Sequence, residues 1–195
     1  MSTEPNLPAD PLALLLQSHP ETAYDYLEFR KLMAGQAAAD AALRATDAEI
    51  AEIKLRLEAI EQAHTLQDPE QEAAADAAFH LAIYEAGHNL VTIQVMRRVL
   101  QMLSGDVFYD RTNLSRRRGV RDGFLRQHQA LWHAIAARNP EAACSLAEAH
   151  IVSTEEALRE AQHAEARREI ALRRRAGSDL VSRPRANKER GSDIG

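Results

Sequence analysis

Residues 46–69 read TDAEIAEIKLRLEAIEQAHTLQDP, and their spacing decides the class of fold. Ile50, Ile53, Leu57 and Ile60 recur at intervals of three, four and three, which puts them on one face of a helix with 3.6 residues per turn. Thr46 or Asp47 suits the start, because a short side-chain oxygen accepts from the free amides of a first helical turn. Asp68-Pro69 ends this helix and opens the next, since proline is tolerated at the first helical position and nowhere further in.

Upstream, Glu21 to about Ala45 spaces Leu27, Leu32 and several alanines as a second apolar face. Ahead of it, Asp10 caps a short apolar helix, PLALLLQ, that breaks at Ser18-His19-Pro20. Downstream, the spacing predicts helices from Pro69 to about Gly87, from about Leu90 to Asn113, and from about Ser115 to Arg138. Asn139-Pro140 is the next hinge, and a long last helix follows whose far end, HAEARREIALRRR, is polar nearly all round. The expectation is an all-α protein, an antiparallel bundle of six to seven helices enclosing a ligand or metal cavity. No internal repeat, glycine-rich phosphate loop or credible strand interrupts the pattern.

Composition agrees. The chain has 195 residues, 45% of them hydrophobic but only 5% aromatic, and its excess of Ala, Leu, Glu and Arg favours helix because these residues lose little rotamer freedom there. That length suits one domain with a substantial core. Residues 1–9 read as a disordered leader, 10–176 as the domain, and 177–195 as a disordered basic tail. The single cysteine, Cys144, excludes an intrachain disulfide, and no apolar run approaches the roughly 20 residues that cross a bilayer. A polar N-terminus is unlike a signal peptide, so a cytoplasmic location without membrane contact is expected.

The net charge of -5 is uneven. Residues 1–110 hold 7 Lys+Arg against 18 Asp+Glu, and residues 111–195 hold 17 against 11. Clusters such as Arg116-Arg117-Arg118 and Arg173-Arg174-Arg175 read as solvated faces, because no aromatic residues interleave them as a nucleic-acid stacking surface requires.

Asp76 and His80 lie four residues apart and project from one helix face, a workable two-ligand clip. His128 falls 11 residues before the Asn139-Pro140 hinge and His150 falls 10 residues after Pro140. At about 1.5 Å per residue, an antiparallel hairpin brings both to the same depth, roughly 15 Å from the turn. Asp76, His80, His128 and His150 can therefore converge on a divalent ion such as zinc, nickel or manganese. Spacing alone leaves that reading and ordinary surface contacts both open. The remaining histidines, His19, His64, His88, His133 and His163, read as structural or solvent-facing. Glu61-x-x-His64 and Glu85-x-x-His88 resemble the paired elements of di-iron bundles, but their histidines would sit on the order of 24 Å apart along the axis.

Arg30, in YDYLEFRKLMAG, lies in an otherwise apolar stretch, where a guanidinium facing a cavity would grip a carboxylate through both nitrogens. Pairing with Glu28 or reach to solvent is the alternative, and spacing does not choose between them. Cys144 sits among alanines with nothing to activate it, and no Gly-x-Ser-x-Gly element is present. The chain is not expected to be an enzyme, although the same four ligands with an open position would suit a metal-dependent enzyme acting on small carboxylates.

Three runs carry a family resemblance: DPLALLLQSHPETAYDYLEFRKLMAGQAAADAALRAT, DAAFHLAIYEAGHN and RQHQALWHAIAARNPEAACSLAEAHI. Over about residues 10–165 the chain resembles the effector-binding C-terminal domain, or FCD domain, of FadR-type regulators in the GntR superfamily. Its opening segment is most similar to the pyruvate- and lactate-responsive group. The resemblance implies a divalent metal held by Asp76, His80, His128 and His150, and a small organic acid such as pyruvate or lactate contacted by Arg30 and Asn89. It also implies a homodimer and a transcriptional role, most often repression. These regulators read DNA through an N-terminal winged helix-turn-helix, for which the nine residues ahead of the domain are too few. DNA contact is therefore expected only through a domain outside this chain.

Overall fold

The computed structural model describes residues 14–15, 18–19, 22–103 and 118–181. The short helix expected at 11–17, the stretch 104–117 and the tail from 182 onward lie mostly or wholly outside them. Among the described residues the secondary structure is helical throughout, in six helices: α1 (Thr22–Arg44), α2 (Asp47–Leu66), α3 (Pro69–Ala86), α4 (Leu90–Leu103), α5 (Arg118–Ala136) and α6 (Pro140–Val181). None of them is long and apolar enough to cross a membrane.

The helix ends follow from local chemistry. Thr46 caps α2 in a reciprocal box, its hydroxyl accepting from Glu49 N while the Glu49 carboxylate accepts from Thr46 N. That backbone contact, reinforced by His88, holds the Glu49 carboxyl below its ordinary range. Asp68 caps α3 by accepting from Glu70 N and Gln71 N, with Pro69 in the first turn. Gln67, His88 and Arg138, each just beyond a helix end, adopt left-handed backbone with φ of 55°, 58° and 57°, reversing the chain so that successive helices fold back.

The first compact unit runs to Leu158. Within it α3 packs against α1, α2 and α4, and α5 packs against α1 and α2. Ile53, Leu57 and Ile60 are fully buried as their spacing predicts, while Ile50 is only partly covered. On α1 the apolar face differs from expectation. Leu27 is buried, but Leu32 is 59% exposed, with Phe29 and Leu43 also outward. Ala34, Ala37, Ala38, Ala41 and Ala42 occupy the buried side instead. Small side chains let neighbouring backbones approach closely, and the larger apolar residues are left facing out.

Gly35 extends that close approach to α6. A Cβ there would lie 2.8 Å from Glu148 Cγ and 3.1 Å from Cys144 Sγ. Cys144 is half-buried, and burial, with the Glu148 charge beside it, pushes its thiol up, away from a reactive thiolate. The second unit begins at Arg159. Its helix is exposed nearly all round through Arg175, with Arg173 paired to Glu169, and continues past Gly177 to Val181.

Candidate metal centre

Helix α3 carries Glu72, Asp76 and His80 at successive four-residue steps, all on one buried face. His128 arrives from α5 and His150 from the first turns of α6. The three histidines are each no more than 3% exposed, and Asp76 lies at the edge of the core at 9%. His80 Nε2 stands 3.3 Å from His150 Nε2 and 3.6 Å from Asp76 Oδ1, and His128 Nε2 stands 3.0 Å from Asp76 Oδ1. One ligand atom from each of the four residues lies within 4.8 Å of every other.

These separations match a donor set around one ion. Zinc–nitrogen bonds of about 2.0–2.1 Å in a tetrahedron place neighbouring donor atoms on the order of 3.3 Å apart. Two imidazole nitrogens facing one another at 3.3 Å repel through their lone pairs unless a proton or a cation lies between them. Phe79 packs edge-on against His80 and His128, and Phe124 against His150, an apolar collar that holds the rings and keeps water from them. The donor set therefore fits a divalent ion, for which it supplies one carboxylate and three imidazoles.

Burial, with the Arg30 guanidinium and His128 adding to it, holds the His80 imidazole well below its usual range, so the ring is neutral and able to ligate at pH 7. A neutral buried histidine has a pH signature. Its folded pKa lies below the unfolded value near 6.5, so its stabilising contribution is complete above that value and is lost as pH falls towards the folded pKa. Metal-free protein is expected to melt at a lower temperature at pH 5.5 than at pH 7.5, and His80→Asn to narrow the difference. Thermal melts of both proteins at the two pH values check this.

Arg30 is 1% exposed, which disposes of the solvent-facing alternative. Its charge acts on His80 and on the buried Tyr84, whose hydroxyl burial pushes up and Arg30 pulls back down. Tyr26, also buried, belongs to the same group. The structure thus brings five of the six residues singled out in the sequence into one neighbourhood. Asn89 is placed elsewhere in role: it is exposed, and its Oδ1 accepts from Val91 N and Thr92 N as the cap of α4.

The histidines read as structural behave so where contacts are described. His64 is bound between Glu72 and Asp122, and His88 pairs with Glu49. Glu61 instead accepts from Gln129, and Glu85 pairs with Arg97, so the two Glu-x-x-His elements do not meet as a di-iron site. Sequence reasoning missed the buried Glu72–Arg121 pair and the side chain of Gln127, which contacts His150. The periodicity held a signal for the first: Glu72 precedes Asp76 by four residues and Arg121 precedes His128 by seven, each on the same helix face as that cluster residue.

An all-helical bundle with an internal Asp-His₃ cluster defines a class, and comparison with known proteins specifies it. Residues 25–153 match the model of the FCD domain, and the chain belongs to that family. It is 36% identical over 142 residues to the putative L-lactate dehydrogenase operon regulatory protein of Escherichia coli K12, an alignment covering 72% of this chain and 53% of the relative. It is 32% identical to the Glc operon transcriptional activator of the same organism, covering 72% and 57%. The chain thus spans about half the length of the curated relatives it matches. Among solved structures, Streptococcus agalactiae GntR superposes with a TM-score of 0.58 at 22% identity, covering 80% of this chain and 66% of that one. E. coli McbR/YncC gives 0.62 at 18%, covering 72% and 69%. These two likenesses establish the shared fold.

Proposed function

We propose that this chain is the sensing domain of a GntR-type transcription regulator, holding a divalent metal through Asp76, His80, His128 and His150 and binding a small 2-hydroxy or 2-oxo acid. The observation that carries this reading is the convergence of one carboxylate and three imidazole nitrogens within 4.8 Å, with a buried arginine whose charge acts on His80. One carboxylate and neutral imidazoles leave a divalent ion with residual positive charge, which suits a monoanionic ligand. When bound, the metal supplies a Lewis-acid anchor for ligand oxygens. Arg30 adds a charged donor fork for a carboxylate. Asn89, occupied as a helix cap, enters as an effector contact only through the family resemblance.

The relatives named for lactate and Glc operons favour lactate, pyruvate or a comparable acid over a larger ligand. Acid binding would shift the packing of α1, α3, α5 and α6, the helices that contribute side chains here, and so alter the DNA-reading heads of a dimeric regulator in the cytoplasm. The test is incubation of metal-loaded protein with lactate and pyruvate, followed by binding and product assays. Stoichiometric binding without product is expected, weakened about tenfold or more in Arg30→Met by loss of a charged hydrogen-bonding partner. Steady product formation would instead identify a metal-dependent enzyme.

A further inference from the structure

Next to the cluster, α5 and α6 share a run of hydrogen bonds. His150 Nδ1 lies 2.9 Å from Gln127 Oε1, Gln127 Nε2 lies 2.9 Å from Ser153 Oγ, and Ser153 Oγ lies 3.0 Å from the Ala149 carbonyl oxygen. Its polarity is set from the far end. A backbone carbonyl only accepts, so the Ser153 hydroxyl spends its one proton on Ala149. The serine oxygen is left as an acceptor, and Gln127 must turn its amide NH₂ towards it. The Gln127 oxygen then faces His150. Because an amide oxygen only accepts, His150 Nδ1 carries the ring proton, and in the neutral imidazole Nε2 is the lone-pair nitrogen. That Nε2 is the atom 3.3 Å from His80 Nε2.

We infer that Gln127 and Ser153 are positioning residues: anchored on a backbone carbonyl, they hold His150 as the Nδ1–H tautomer and present Nε2 to a divalent cation, a role that rests on the metal binding proposed above. Histidine ligands generally donate their second N–H to an outer partner, which fixes the ring and raises its basicity. The partner here is a neutral amide, so it orients the ring without adding negative charge. Ser153 lies one helical turn beyond His150, and Gln127 is the neighbour of His128. The α5 and α6 ligands are therefore locked to each other by the pair.

The experiment uses the whole chain with zinc as the probe. ¹⁵N-histidine NMR of the metal-free protein reads the tautomer, and competition with a chromogenic chelator reads zinc affinity, in wild type, Gln127→Met and Gln127→Glu. In wild type His150 is expected as Nδ1–H. Gln127→Met, similar in volume but unable to accept, is expected to mix the tautomers and weaken zinc binding about 10–100-fold. Gln127→Glu, which still accepts from Nδ1–H, is expected to restore the tautomer and keep zinc affinity near wild type. A wild-type His150 protonated at Nε2 would overturn the assignment, as would a Gln127→Met protein with unchanged tautomer and affinity. Wild type with the Nδ1–H tautomer but no zinc uptake would overturn the metal site while upholding the tautomer assignment, so the two failures are separable.

Discussion

Replacing His128 and His150 together by alanine is expected to yield a protein that retains no metal. The two residues come from different helices and make up half of the proposed donor set. Without them the ion would keep only Asp76 and His80, a clip on one helix of the kind common on ordinary surfaces. Metal content measured by elemental analysis should fall from about one ion per chain to below roughly a tenth, since four protein donors are reduced to two. His133, which is exposed, is the control: His133→Ala should retain metal at the wild-type level. Unchanged metal in the double variant would remove His128 and His150 from the site.

The second large effect concerns stability. Glu72 and Arg121 are both 7% exposed and joined directly, Arg121 Nε donating to Glu72 Oε2 at 2.5 Å, while Arg121 also donates to the His64 carbonyl. Glu72→Ala leaves the guanidinium buried without its carboxylate, which costs about 3–5 kcal/mol. At about 2–4 °C per kcal/mol for a domain of this size, the melting temperature should fall by roughly 10 °C. Replacing both residues by methionine should recover most of the loss, because a well-packed apolar pair is spared the desolvation of two charges. Chemical denaturation of the single and double variants measures both values; a loss below about 1 kcal/mol in Glu72→Ala would mean that water already reaches the pair.

What the sequence disclosed, it disclosed through local chemistry. The Thr46 and Asp68 caps and the Asn139-Pro140 hinge delimit helices because their causes lie within a few residues of each end. The convergence of His128 and His150 was legible for a related reason: equal distance from a hinge translates directly into equal depth in a hairpin. Residues whose role depends on another helix were not legible. Whether Arg30 faced inward could not follow from spacing, and the reading of Leu32 as part of the buried face failed because close packing by alanines, rather than side-chain size, chose which side of α1 turned inward. Gln127 shows the same limit. An amide beside a histidine carries no pattern of its own, and its function appears only once α6 sets His150 and Ser153 against it.

The proposed sensor binds its acid only with the metal in place. Calorimetric titration of L-lactate and pyruvate into zinc-loaded and chelator-stripped protein tests it most directly. Saturable binding of at least one of the two acids, one acid per chain, is expected for the loaded protein, with loss of that binding on stripping. Equal affinity in both forms, or no binding of either acid to the loaded form, would contradict it.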